Sequence, residues 1–530
     1  MVSLDELEDL SIKRPKHSQK ELQIQTEKKP QWVHFGGGNL YRAFHAEIAQ
    51  TLIDQGVMKT GVIVCETFDE EIIEHAYHDF DNQILEVIMH ENGNLEKKIL
   101  NATSASYYCP PSKKENYEKV KEIFTNPSLQ LVTVTITEKG YSLKDAQGEL
   151  SAVIQGDINA GPDNVQHTMS IIASLLYSRF QAGMLPLALI STDNFSRNGQ
   201  QFQTAILKIA KGWLEKGLVT ENFINYLQDT DKITFPWSMI DRITPNPSQL
   251  VADRLAEEGI EGLTLIHTTK GTNIAAFANT EATHYLVIED SFPNGRPALE
   301  EAGVILTNRE TVDKADVMKV ITCLNPLHTA MSIYGCLLGY TSIADEMKDE
   351  DIVKLIKGIG YIEGLPVVAD PQIISPKAFI DEVLKLRLPN PMIPDTPQRI
   401  ATDTSQKVAI RFGETIKKHL AIHGTATELK FIPLAIAGWL RYLLAIDDAG
   451  QPFAPSPDPL LAELQGKLRG IELGYTGNIQ QRVSPILKNE QIFGIDLYAA
   501  GLGEQIEGYF TEMLKEAGAV RKVLHQVVNE

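Results

Sequence analysis

The chain has 530 residues, too many for one ordinary hydrophobic core, so two large domains, or three, are expected. Hydrophobic residues make up 43% and charged residues 22%, with no apolar run long enough to span a bilayer as a helix. The formal net charge of −20 argues against nucleic acid or an anionic membrane as a partner, although a local basic pocket could still hold an anion.

The polar first thirty residues lack the apolar centre of a secretion signal, and a cytoplasmic location is expected. They read as an extended or partly helical arm. Gln31–Phe35 is a short strand-like run that leads into Gly36-Gly37-Gly38-Asn39-Leu40-Tyr41-Arg42. An amphipathic helix to about Gln55 follows, then a second apolar strand, Gly61–Cys65. Strand, glycine turn, helix and strand make a βαβ unit, whose turn lets backbone N–H groups approach a pyrophosphate. Gly36 and Gly38 fit the first two places of a dinucleotide-binding turn, but Tyr41 stands where the third glycine belongs. A plain tight turn into a helix explains the stretch equally well. Glu66 or Asp69 stands where an acid accepts from the adenine ribose hydroxyls, which favours NAD over NADP.

Further strands are expected at 83–89, 131–136, 187–191, 263–267 and 284–289, with helices at 169–181 and about 200–215. Two strand ends carry polar groups, Thr137-Glu138-Lys139-Gly140 and Asp193-Asn194. Open sheets bind ligands at such ends, and a helix cap or Asx turn is the plainer alternative for Asp193 and Asn194. Asp241-Arg242 interrupts an apolar segment as a local ion pair would.

From about Asp313 the pattern turns helical. One long apolar helix is expected over 315–341, and others at 350–358, 374–387, 402–421, 425–445, 457–469 and 493–517. The first of these carries Lys319, Asn325 and His328. Asn325 and His328 are three residues apart, on one face of a helix. Either they are a capping Asn and a satisfied core His, or they have chemical work to do. The proline-rich stretch Leu388–Pro397 delivers Arg399, Asp403 and Lys407, the last two at a spacing that also suits an ion pair on a helix face. Cys65, Cys109, Cys323 and Cys336 show no paired metal spacing. No close His/Cys/Asp cluster suggests zinc, and no disulfide framework is expected. A glycine turn followed by a helical half with Lys, Asn and His suits hydride transfer without a metal. A lysine would take the hydroxyl proton, and amides on Asn194 and Asn325 would stabilise charge on oxygen.

These residues together resemble the mannitol dehydrogenase family of polyol-specific long-chain dehydrogenases and reductases, over about residues 31–520. The resemblance rests on Gly36–Phe44, Thr135–Tyr141, Asp193-Asn194 with Asn198-Gly199, Asp241–Pro245, Gly295–Pro297, Leu324–His328, and the block from Asn390 to Lys407. It implies an α/β fold in which a Rossmann-like NAD-binding domain, residues 31–300, precedes a mostly α-helical substrate domain, residues 301–530. It implies Lys319 as general base or acid, Asn194 and Asn325 as the oxyanion site, and His328, Asp241, Arg399 and Lys407 as substrate-orienting groups. Gly36, Gly37, Gly38, Asn39, Leu40, Arg42, Glu66, Asp69, Thr137 and Glu138 fall to the cofactor. NAD would be the cofactor, no metal would be used, and the partner would be a small sugar acid or polyol. Arg399 and Lys407 could hold a carboxylate, which favours reduction of fructuronate to mannonate over fructose to mannitol; tagaturonate reduction, which differs mainly in stereochemistry, stays as an alternative. An inactive NAD-binding sensor is the alternative of another class.

One spacing departs from the family pattern. Lys319 stands six residues before Asn325 where the family has five. On a regular helix the nine residues to His328 turn about 900°, which sets the two on opposite sides. A bulge absorbing one residue, or a helix that starts after Lys319, would restore the expected facing.

Overall fold

The computed structural model describes residues 11–145, 147–260 and 263–530. The described chain divides after Asp313 into two compact units.

The first unit is built on a six-stranded sheet, parallel throughout. Its strands run in the order Thr103–Tyr108, Val62–Glu66, Trp32–Phe35, Leu131–Val134, Leu187–Ser191, Ile233–Thr234. Counted along the chain this is the order 3-2-1-4-5-6 of a doubly wound dinucleotide-binding fold. The alternation of side chains along each strand feeds two cores. Val33, Phe35, Val132, Val134 and Leu189 enter one core, which also holds residues of helices Lys114–Thr125, Thr168–Gln181 and Asn198–Glu215. Trp32, Val62, Val64, Leu131 and Ile190 enter the other, with helix Ala46–Asp54. The order of strands reverses between Trp32–Phe35 and Leu131–Val134, so the loops after these two strands meet at the place where such sheets take ligands.

Among the described residues, two further sheets and a two-stranded ribbon of Ile266–His267 with Asn273–Ile274 complete this unit. The strand expected at 83–89 forms as Ile84–Met89, but it joins Ile12–Lys13, Leu95–Leu100 and Phe277–Glu281 rather than the central sheet. Ser238–Asp241, Tyr285–Glu289 and Ile305–Thr307 form the other. Of the strand expected at 263–267 only Ile266–His267 forms. The first ten residues of the expected arm lie outside the described residues. The rest packs: helix Gln19–Lys28 buries Leu22, and its Thr26 hydroxyl exchanges a hydrogen bond with Ser104 and accepts the N–H of Gly61.

The second unit is helical. Helix Asn325–Leu337 packs against Glu350–Lys357 and Phe431–Leu443, and the latter packs against Gly503–Met513. The single helix expected over 315–341 is three pieces: helix Arg309–Val317, a π-turn Met318–Cys323, and helix Asn325–Leu337. Further π-turns occur at Gly358–Gly364, Val383–Arg387 and Ala409–Gly413, so the expected helices at 374–387 and 402–421 are likewise broken. An added residue in a turn leaves the apolar pattern on both sides intact, which is why the periodicity reads through it. Among the described residues no helix is long and apolar enough to cross a membrane.

Candidate active site

The glycine loop lies at the carboxyl end of Trp32–Phe35. Gly36 has φ +103°, and a Cβ placed there would stand 2.0 Å from the carbonyl oxygen of Thr135. Only glycine lets this loop lie so close to the neighbouring strand end. The space over Gly38 is open: a Cβ there would meet nothing within 4 Å. The Asn39 side chain leaves its Oδ1 buried without a partner. This open glycine turn at the switch point, with a polar atom in want of a partner, fits a dinucleotide.

Glu66 ends the next strand. Its Oε2 accepts the Gly37 N–H at 3.0 Å, and its Oε1 accepts the N–H groups of Thr67 and Phe68, each at 2.8 Å. The Asp69 N–H adds a fourth backbone donor, and a carboxylate offers roughly four acceptor positions, so a ribose hydroxyl would share an oxygen with the turn. Burial pushes the Glu66 carboxyl up, and the backbone donors oppose that shift.

Three expected cofactor residues have other work. Arg42 is fully buried in the π-turn Tyr41–His45, and its Nη2 donates to the carbonyls of Ala275 at 2.8 Å and Ala276 at 3.2 Å. Its Nε and Nη1 are buried without a partner. Asp69 caps helix Glu70–Ala76 by accepting from Glu71 N, and its other oxygen accepts from Thr268 Oγ1 at 2.6 Å. Of the two acids, Glu66 remains the candidate for a ribose contact. Leu40 is half-buried and packs on the core around helix Ala46–Asp54. Tyr41, at the place of the third glycine, is buried with its hydroxyl 2.9 Å from Thr103 Oγ1, and the helix accommodates it by opening into the π-turn.

The loop after Leu131–Val134 carries Thr137 and Glu138, both exposed, with Thr137 at φ +66°. It is held by Asp193, whose place in the sequence suits either a ligand-facing strand end or a helix cap beside Asn194. The Asp193 carboxylate accepts from Ile136 N and Thr137 N, both at 2.9 Å, and from the Tyr141 hydroxyl at 2.8 Å. It thereby clamps two strand ends together and leaves Asn194 exposed beside it. Asn198 locks the same corner through Ser238, donating to its carbonyl and accepting its N–H. Asp241 is buried at the end of Ser238–Asp241. Its neighbour Arg242 meets Glu47 at 2.5 Å and Glu86 at 3.4 Å, so the charge it satisfies is in distant chain segments.

In the second unit Lys319 lies in the π-turn Met318–Cys323. Leu324 N donates to Lys319 O at 3.1 Å, a bond spanning five residues, so the turn takes up one residue more than an α-turn. Lys319 is buried, 3.6 Å from the Asp316 carboxylate. Leu324 breaks the helix, and Asn325 opens the next one with Pro326 in its first turn. Asn325 and His328 are both half-buried one turn apart on that helix. His328 Nε2 stands 3.9 Å from Asp395. Burial lowers its imidazole to about 4; Asp395 opposes this, and the guanidinium of Arg411 adds to it.

Asp395 is occupied by Arg399, which donates from Nε and Nη2 at 2.7 Å each, a bidentate pair. Lys407 does not reach Asp403. Its Nζ donates to the carbonyls of Ile400 at 3.5 Å and Thr402 at 2.5 Å. Burial lowers its ammonium, and Arg411 adds to that. Arg411 escaped the sequence reading. The available signal was a second cation four residues after Lys407 in an otherwise apolar stretch. Among the described residues no group of three or more His, Cys, Asp or Glu could hold a metal ion.

Comparison with known proteins agrees with this division. The mannitol dehydrogenase Rossmann domain family matches residues 30–301, and the mannitol dehydrogenase C-terminal domain family matches residues 311–514. The chain is 49% identical to the D-mannonate oxidoreductase of Thermotoga maritima over 524 residues, 98% of this chain and 96% of that one. In fold it is similar to Pseudomonas fluorescens mannitol 2-dehydrogenase, solved as a ternary complex with NAD and D-mannitol. The TM-score is 0.72 and the identity 23%, over 100% of this chain and 99% of that chain. It is also similar to a substrate-free D-sorbitol dehydrogenase, with TM-score 0.79 and 21% identity over 99% and 100% of the two chains. The chain belongs to the mannitol dehydrogenase family of NAD-dependent oxidoreductases, with the family's two domains in order along it.

Proposed function

We propose that the chain interconverts fructuronate and mannonate with NAD. The observation that carries this reading is the 49% identity to a D-mannonate oxidoreductase across 98% of the chain. NAD, when bound, accepts the hydride in oxidation and its reduced form returns it in reduction. Gly36, Gly37, Gly38 and Asn39 would hold its pyrophosphate and Glu66 its ribose, with the exposed Thr137 and Glu138 further along the same strand ends.

The protein's own part is proton and charge control. In reduction, Lys319 gives a proton to the carbonyl oxygen as that oxygen gains charge; in oxidation it takes the hydroxyl proton. Asn194 and Asn325 donate amide N–H groups to that oxygen. His328, held neutral, can donate to or accept from a substrate hydroxyl, and Asp241, Arg399 and Lys407 orient the rest. Four buried free cysteines accord with a reducing compartment, and we place the protein in the cytoplasm.

The reading is tested in the oxidative direction, with NAD and each of D-mannonate, altronate and mannitol, by the rise in nicotinamide absorbance. D-Mannonate is expected to be the best substrate. Oxidation of mannitol with none of mannonate would overturn it.

A further inference from the structure

We propose that Arg411, with Lys407 one turn before it, is the seat of the substrate carboxylate and the residue that fits this chain to uronates rather than neutral ketoses. This rests on the fructuronate reading and names the group that would make it specific.

Arg411 lies on the π-turn Ala409–Gly413. That turn packs against both the π-turn that carries Lys319 and the helix that carries Asn325 and His328. Its seat is fixed by a close approach: a Cβ on Gly413 would stand 1.8 Å from the carbonyl oxygen of Phe493. From there Arg411 Nη1 donates to Thr329 Oγ1, the buried residue next to His328.

The charges around this point do not balance. Among the described residues Arg411 has no carboxylate partner, and the bond to Thr329 is the one its guanidinium makes. Lys407 has only carbonyl oxygens. The nearby acids are engaged elsewhere: Asp395 is taken up bidentately by Arg399, and Asp458 accepts from Ser405 N and Oγ. Asp403 faces Lys407 without reaching it.

Two like charges four residues apart repel, and a half-buried guanidinium without a counter-ion is costly. An anion that arrives with the substrate removes both penalties. A carboxylate matches the planar fork of a guanidinium and accepts a further bond from an ammonium. A neutral ketose offers hydroxyl groups there and leaves both cations uncompensated.

The test compares wild type, Arg411→Gln and Arg411→Lys with fructuronate and with fructose, alongside NADH affinity by fluorescence titration and a melting curve with and without D-mannonate. Loss of a charge-assisted bond should raise KM for fructuronate roughly 10- to 100-fold in Arg411→Gln, with kcat changed far less. Arg411→Lys should recover part of the loss, and the preference for fructuronate over fructose should fall by the same factor. NADH affinity should hold, and D-mannonate should raise the melting temperature of wild type but not of Arg411→Gln. An unchanged KM for fructuronate in a folded Arg411→Gln enzyme would overturn the assignment alone. A wild-type enzyme that reduces fructose and not fructuronate would instead overturn the fructuronate reading, and this inference with it.

Discussion

Lys319 is buried 3.6 Å from Asp316, on a turn whose carbonyl at the same residue is bonded five positions on. The proposed role of Lys319 as proton donor and acceptor predicts a clean separation of effects. Lys319→Ala should cut turnover about 10²- to 10⁴-fold while NADH affinity stays near wild type. Turnover equal to wild type would remove Lys319 from the role. His328 carries a different expectation, because burial holds its imidazole down at about 4. Histidine NMR should find it unprotonated from neutral pH to below pH 5. His45, in the other unit, is pushed by burial to about 3. Both groups have folded values below the unfolded one, so the stability they contribute is present above about pH 6.5 and is lost as pH falls toward 4 and 3. Melting temperature should therefore fall as the pH is lowered from 6.5, and less so in a His45→Gln variant. The site was only partly legible at this scale. The motif residues Gly36, Glu66, Lys319, Asn325 and His328 show by type and spacing. The inward turn of Arg42, the capping by Asp69 and the clamp made by Asp193 depend on which neighbours arrive from other chain segments, and spacing along one segment does not carry that.

At the scale of elements, the two halves of the fold differ in how openly the sequence displays them. The parallel strands are short apolar runs bounded by turns, and their order follows from alternation with helices. The π-turns are hidden, because each adds one residue without disturbing the apolar pattern on either side. Helix Asn325–Leu337 also carries a buried charge site that sequence reading passed over. Gly335 on this helix lets Glu346 lie against it; a Cβ there would stand 2.2 Å from Oε1. Both carboxyl oxygens of Glu346 are buried without a partner. Burial, with Asp349 and Asp395 adding, raises this group to about 9. A folded value above the unfolded one means that its stability is full below about pH 4.5 and is lost as pH rises toward 9. Glu346→Gln keeps the shape and removes the penalty. Its melting temperature should exceed wild type at pH 8 by more than at pH 5. A gain that does not depend on pH would show that Glu346 is ionised in the folded protein.

At the scale of the molecule, a chain of net charge −20 keeps Lys407 and Arg411 without carboxylate partners among the described residues. The first unit carries the glycine loop and Glu66, and the second carries Lys319, Asn325, His328 and those cations. The family follows from both units together, and on the proposed reading the choice among its substrates turns on the second. The direct test is the rate of NADH oxidation with fructuronate, tagaturonate and fructose in parallel, compared as kcat/KM. The account predicts that fructuronate is preferred over both. Preference for fructose would contradict it and assign the cations to hydroxyl groups instead.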